Sequence, residues 1–86
     1  MFSFSLNGWT DYLDWQKQDI KTLKRINRLL RSIKQDGVLS GLGKPERLKY
    51  TNNEQYSRRI DKKNCLIYRI EGGRIIVDSC CGHYED

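Results

Sequence analysis

A chain of 86 residues can bury one modest core and has no room for a separate cofactor domain, so a single domain over residues 1–86 is expected. Sixteen Lys and Arg against eleven Asp and Glu leave a net charge of +5, which favours a polyanionic partner because each phosphate neutralised releases condensed counterions. No segment approaches the roughly 20 apolar residues of a membrane span, and residues 1–7 lack the charged start and apolar run of a signal peptide; no membrane partner is expected, and the cytoplasm is the expected location.

Phe2, Phe4 and Leu6 alternate with Ser3 and Ser5, the period of a half-buried strand, until Asn7 and Gly8 break it. Asn7 is then the expected N-cap of a short helix that turns Trp9, Tyr12, Leu13 and Trp15 toward the core and places Asp11 in its favourable first turn. Asp19 can cap a second helix in which Ile20, Leu23, Ile26, Leu29, Leu30 and Ile33 recur at helical spacing, with Gly37 suited to the left-handed residue after its end. The other face of that helix carries Lys21, Lys24, Arg25, Arg28, Arg31 and Lys34, either an RNA-facing stripe or a solvated surface.

Residues 41–46 hold two glycines and the only proline, Pro45, and read as a loop that delivers Glu46 to the next strand. Strand-like runs follow over residues 47–50, 56–61, 65–71 and 74–81, the last two joined by a tight turn at Gly72 and Gly73. No internal repeat or linker divides the chain. The expected fold is α+β, two N-terminal helices packed on one face of a small, mostly antiparallel sheet.

Metal-independent cleavage of RNA needs a base for the 2′-hydroxyl proton, an acid for the leaving 5′-oxygen, and cations for the charge that develops on phosphorus. Glu46, beside Lys44, Arg47 and Lys49, can stay ionised near phosphate. His83, the single histidine, follows the last strand, and Tyr84 beside it offers a ring for stacking on a base. Arg58 and Arg59 alternate in a strand, so at most one can line a given cleft. Cys65, Cys80 and Cys81 are odd in number and include an adjacent pair, which argues against a disulfide framework; with one histidine they lack the paired spacing of a zinc site. No metal and no cofactor are expected. No identifiable base adjoins Cys80 or Cys81, and a small core thiol suits at least one of them.

Together these pieces resemble the YoeB family within the RelE-like toxins of type II toxin–antitoxin systems. The words that carry the resemblance are Trp9-Thr10-Asp11-Tyr12-Leu13-Asp14-Trp15-Gln16, Gly43-Lys44-Pro45-Glu46-Arg47-Leu48-Lys49-Tyr50, Tyr56-Ser57-Arg58-Arg59-Ile60 and His83-Tyr84, in order over nearly the whole chain. The resemblance implies a microbial-ribonuclease-like fold and a ribosome-dependent messenger RNA endoribonuclease of the bacterial cytoplasm, cutting A-site codons. It assigns Glu46 as general base and His83 as general acid, with Tyr84 lining the site. Lys49 and Arg59 match cations that hold phosphate, with Lys44 a weaker match. Its partners would be the ribosome with messenger RNA and a YefM-like antitoxin with an acidic C-terminal segment; operator DNA would be reached only through the antitoxin complex, since no helix-turn-helix signature is present. A homodimer also fits the analogy.

One position departs from the family pattern. Before the Leu66-Ile67-Tyr68 strand the family carries an arginine that supports the transition state, and this chain has Cys65. Losing such a stabiliser typically costs about 2.7 to 4 kcal/mol, a hundred- to thousandfold in rate. Arg59 or Lys49 moving inward, or Arg69 reaching from the same strand face, would restore the charge; otherwise the chain is an attenuated toxin, or a module that binds RNA, ribosome or antitoxin without cutting. Glu85 and Asp86 extend beyond the usual terminal tyrosine and are expected to fray into solvent.

Overall fold

The computed structural model describes residues 2–49 and 54–82; Tyr50, His83, Tyr84, Glu85 and Asp86 lie outside them. The order is β1 (Phe2–Phe4), α1 (Leu6–Gln18), α2 (Ile20–Asp36), β2 (Glu46–Arg47), β3 (Gln55–Arg59), β4 (Cys65–Glu71) and β5 (Arg74–Ser79). The strands form one sheet in the order β1-β5-β4-β3-β2. β1 runs parallel to β5, and every other neighbouring pair is antiparallel.

α1 starts earlier than its sequence suggests. Ser5, not Asn7, is the N-cap, its hydroxyl accepting from the Gly8 N–H at 3.1 Å, because the Ser5 N–H is already fixed by the Val77 carbonyl at the end of the β1 ladder. This start moves Asp11 out of the first turn. It also turns Gly8, Tyr12 and Trp15 inward, while Trp9 (44% exposed) and Leu13 (37%) face outward rather than into the core. Asp19 does cap α2, accepting from the Lys21 and Thr22 N–H groups. The Thr22 hydroxyl and these backbone donors hold the Asp19 carboxyl below its usual range.

Along α2, Ile26, Leu29, Leu30 and Ile33 are buried against Leu66, Tyr68, Val77 and Cys80 of the sheet side, the apolar stripe of an amphipathic helix. Ile20, the first residue of the helix, is half exposed. Gly37 closes α2 with φ 107, a conformation costly for any residue with a Cβ.

Three strands differ in extent from expectation. β2 is two residues long and begins at Glu46, although the Leu48 N–H still reaches the Gln55 carbonyl. β3 ends at Arg59 because the Asp61 carboxylate accepts from the Lys63 and Asn64 N–H groups and bends the chain. β5 ends at Ser79, since α1 captures the next residue: Asp11 accepts the Cys80 N–H at 3.0 Å and the Trp15 indole donates to the Cys80 carbonyl at 2.7 Å. The turn at Gly72 and Gly73 has both residues at positive φ (57 and 77), as a two-residue hairpin of matching twist requires.

α1 meets β5 at Gly8, where an added Cβ would lie 2.2 Å from the Val77 carbonyl oxygen. In a free helix Gly→Ala stabilises by roughly 1 kcal/mol. Here steric overlap with a fixed carbonyl decides the sign, so Gly8→Ala is expected to lower the melting temperature by the equivalent of about 1–3 kcal/mol; a rise in thermal denaturation would refute the close approach.

Candidate functional site

The two sheet faces have different chemistry. The helices cover the face bearing Tyr56, Arg58, Leu66, Tyr68 and Val77. On the open face the cross-strand register puts Glu46 beside Ser57, Ser57 beside Ile67, and Arg59 beside Cys65. Paired residues on one face have Cβ atoms about 4.5–5.5 Å apart and diagonal neighbours about 7–8 Å apart, so Glu46, Arg59 and Cys65 share one small area. Glu46 and Arg59 are exposed. Cys65 is 7% exposed and packs with Leu48 and Ile67, an apolar floor among the polar groups.

The two adjacent arginines have separate tasks. Arg58 is completely buried. Its Nε donates to the Tyr68 hydroxyl at 2.9 Å, Nη1 donates to Ser32 Oγ (3.0 Å) and the Leu42 carbonyl (2.9 Å), and Nη2 donates to the Gly37 (2.7 Å) and Ser40 (2.6 Å) carbonyls. Tyr68 in turn donates to the Val38 carbonyl at 2.6 Å, and Ser32 accepts the Leu42 N–H while donating to Asp36. Residues 37–42 therefore fold around one guanidinium. Burial pushes the Tyr68 hydroxyl pKa up despite the Arg58 charge, so it remains a donor.

This clasp fixes the approach to Glu46. After Leu42, the Gly43 carbonyl accepts the Arg59 N–H at 2.7 Å, while Arg25 donates to the Arg59 carbonyl at 3.0 Å. The backbone of Arg59 is thus held from both sides while its side chain stays on the open face. Lys44 has φ 50, a left-handed conformation uncommon for a residue with a Cβ, and Pro45 then leads into Glu46. Lys44 and Lys49 are both exposed, on either side of β2 in sequence.

Arg69 does not reach toward Cys65. The register passes from Ile67 opposite Ser79 to Tyr68 opposite Val77, and this bulge presents Asp78 to the Arg69 Nε at 3.1 Å and the Gln55 amide at 3.0 Å. Arg69 also pairs with Glu71. Two carboxylates hold its charge at the far end of the face.

His83 and Tyr84 lie outside the described residues. The chain leading to them is anchored up to Gly82, whose carbonyl accepts the Cys65 N–H and whose N–H donates to the Asn64 side chain, both at 2.8 Å. Neither vicinal thiol is activated toward the thiolate. Cys80 is fully buried, and burial with Asp11 nearby pushes its pKa up to about 12. Cys81 is exposed, yet partial desolvation, Asp11, Asp14 and Asp61 raise it as well. Among the described residues no group of three His, Cys, Asp or Glu side chains converges as metal ligands, and no helix is long and apolar enough to cross a membrane.

On α2, Lys21, Lys24, Arg28 and Arg31 line one concave basic surface with Asn27, and among the described residues none of these cations is paired with a carboxylate. Arg25 leaves the stripe to hold Arg59. A groove of about 790 Å³ lies beside it, lined by Phe2, Phe4, Trp9, Tyr12 and Leu30 with Arg31 and Lys34 at its rim.

A sequence model of the family described as the YoeB-like toxin of bacterial type II toxin–antitoxin systems matches residues 4–84. Toxin YoeB of Synechocystis sp. is 41% identical over 83 residues, covering 96% of this chain and 95% of that protein. The YoeB dimer from Staphylococcus aureus is 43% identical with TM-score 0.88, covering 96% of this chain and 95% of that one; the heterotetrameric YoeB–YefM complex from the same organism contains a chain 42% identical with TM-score 0.89, covering 98% and 97%. These likenesses put the chain among the toxins of bacterial toxin–antitoxin systems. It belongs to the YoeB-like toxin family.

Removing Arg58 would leave the carbonyls of residues 37–42 without their donor inside the protein, so Arg58→Ala is expected to destabilise by on the order of 3 kcal/mol, and Arg58→Lys by less, in urea unfolding; equal stability of wild type and Arg58→Ala would remove the clasp. In a thiol titration of the native protein one cysteine, Cys81, should react, and Cys65 and Cys80 only after unfolding. Because the Cys81 thiol is raised, its labelling should still be accelerating as pH passes the ordinary cysteine value of about 8.5; two fast thiols in the native state would contradict the burial of Cys65.

Proposed function

We propose that this chain is a ribosome-dependent messenger RNA endoribonuclease. The observation that carries the reading is the shared open face of Glu46 and Arg59, a carboxylate and a cation on neighbouring strands, with the chain anchored at Gly82 immediately before His83. Glu46 takes the 2′-hydroxyl proton. The 2′-oxygen attacks the adjacent phosphorus, the bond from phosphorus to the 5′-oxygen breaks, and His83 gives that oxygen a proton. The product is a 2′,3′-cyclic phosphate or, after hydrolysis, a 3′-phosphate. Arg59 and Lys49 carry the charge that grows on the phosphoryl oxygens, Lys44 adds to the field, and Tyr84 stacks on the base. All the bonds that change belong to RNA and to proton carriers, so the scheme uses no metal or cofactor.

The basic surface of α2 supplies affinity for ribosomal RNA through phosphate contacts that carry no base sequence. The relative from Staphylococcus aureus occurs as a dimer and in complex with YefM. By that analogy this chain pairs with a YefM-like antitoxin whose acidic segment complements its positive charge, and it reaches operator DNA only within that complex. The antitoxin would neutralise the cations on which the scheme relies.

A second reading rests on Cys65, a buried uncharged side chain where the family pattern has arginine. In that reading the chain occupies the ribosome or the antitoxin complex and cuts slowly or not at all.

Cleavage of a defined messenger on stalled ribosomes separates the two. Codon-positioned cuts by the wild type should fall by about 10²–10⁴-fold in Glu46→Gln and in His83→Gln. Cuts that persist unchanged in Glu46→Gln would sink the assignment of the base. A silent wild type together with a Cys65→Arg variant that gains roughly a hundredfold or more would establish the attenuated reading.

A further inference from the structure

The turn at the edge of the open face carries a cation, Lys62, to which neither the resemblance nor the scheme above gives a role. The Asp61–Asn64 turn joining β3 to β4 borders a cleft of about 180 Å³ lined by Arg59, Asp61, Lys62 and Cys65. We propose that Lys62, next to Arg59, contacts the scissile phosphate and supplies the positive charge that Cys65 does not. The proposal rests on the nuclease reading given above.

Four observations converge on Lys62. The cleft beside Cys65 is lined by two cations, Arg59 and Lys62; Lys44 and Lys49 flank β2 instead, Arg58 is buried on the helix face, and Arg69 is tied to Asp78 and Glu71. Cys65 packs into the apolar floor with Leu48 and Ile67, so the cleft above it is a place for an anion that this side chain does not itself neutralise. Lys62 is exposed, and among the described residues no carboxylate pairs with it.

The turn is also rigid. The Ile60 and Asp61 N–H groups both donate to the Asn64 carbonyl, Ile60 is buried as an anchor, and the Asn64 side chain accepts the Gly82 N–H. Lys62 is therefore carried on a frame tied both to Cys65 and to the residue before His83.

Asp61 puts a negative charge beside the cleft, and the structure limits its effect. Its carboxylate is occupied by the Lys63 and Asn64 N–H groups at 2.8 Å and by the Asn64 amide. Partial burial raises its pKa, but these donors win and the net shift is downward, so it stays ionised and engaged with its own turn. With Arg59 and Lys62 facing one carboxylate, the cleft keeps a net positive charge, and a phosphoryl group developing extra charge gains more from that field than the ground state does.

The test is a double-mutant cycle in single-turnover cleavage on programmed ribosomes, with Lys63→Ala as the neighbouring control. Lys62→Ala should lower the saturating rate by about a hundredfold with little change in the toxin concentration for half-maximal rate, and Lys62→Arg should restore most of it. On a Cys65→Arg background Lys62→Ala should cost less than about threefold, because the family's cation would then be in place. Equal losses on both backgrounds, or a loss matched by Lys63→Ala, would overturn the proposal, as would a Lys62→Ala rate like wild type. Silence from wild type and Cys65→Arg alike would instead bring down the nuclease reading, and this inference with it.

Discussion

One buried guanidinium organises the half of the molecule that holds Glu46 and Arg59. Between the end of α2 and the start of β2 the chain has no regular structure of its own, and a segment of that kind needs partners for its carbonyls. Arg58 provides them from inside the fold, reaching Gly37, Ser40 and Leu42 with a planar set of donors while Tyr68 and Ser32 fill the remaining positions. An arginine suits the task because its charge is delocalised and its five N–H groups point outward in a fixed plane. Its charge is spread over carbonyl dipoles, with the Asp36 carboxylate linked indirectly through Ser32.

The open face inherits its order from that interior. Arg58 and Arg59 are consecutive, so fixing the first on the helix side fixes the second on the other. Gly43, released from the same loop, binds the Arg59 backbone and sends Lys44 and Pro45 on to Glu46. A carboxylate and a cation thus come to adjacent strands through backbone register and loop folding, with little packing around their own side chains. Both groups are exposed and hydrated. Cys65 shows the opposite tendency, joining two aliphatic neighbours in a dry patch.

The parts of this fold legible from sequence are those governed by repetition. α2 reads clearly because four buried residues recur at helical spacing, and the β4–β5 hairpin because its two glycines suit one turn geometry. The start of α1 did not, since the Ser5 cap depends on a hydrogen bond from β1 to Val77, far away in the chain. The same distance hid the end of β5, which α1 captures through Asp11 and Trp15. Alternation in Tyr56-Ser57-Arg58-Arg59-Ile60 sends the two arginines to opposite sides of the sheet, which suggests a surface charge or an ion pair for the one outside the cleft; Arg58 is instead buried, because its partners are backbone carbonyls of a loop, which no residue pattern announces. Glu46 and the Arg58–Arg59 pair stand out among the residues themselves, their roles and the departure at Cys65 come from the resemblance, and the register places Glu46, Arg59 and Cys65 on one face. Lys62 was missed because an exposed lysine in a turn looks ordinary until its neighbours across the sheet are known.

The first strand of the chain pairs with the last. Ser5 bonds to Asp78, 73 residues away in sequence, and Gly8, Asp11 and Trp15 all lean on the segment from Val77 to Cys80. α1 meets α2 through Tyr12 and Asn27, but β1 and the sheet-facing side of α1 lack their partners until β5 has been made, and contacts of such sequence separation are slow to close. During its own synthesis the emerging polypeptide therefore lacks a seat for β1 and for the sheet-facing side of α1, however long the helices have been available. A product cut short before β5 would keep the pairing of β2 with β3 and lose the edge on which the first strand and the first helix are seated.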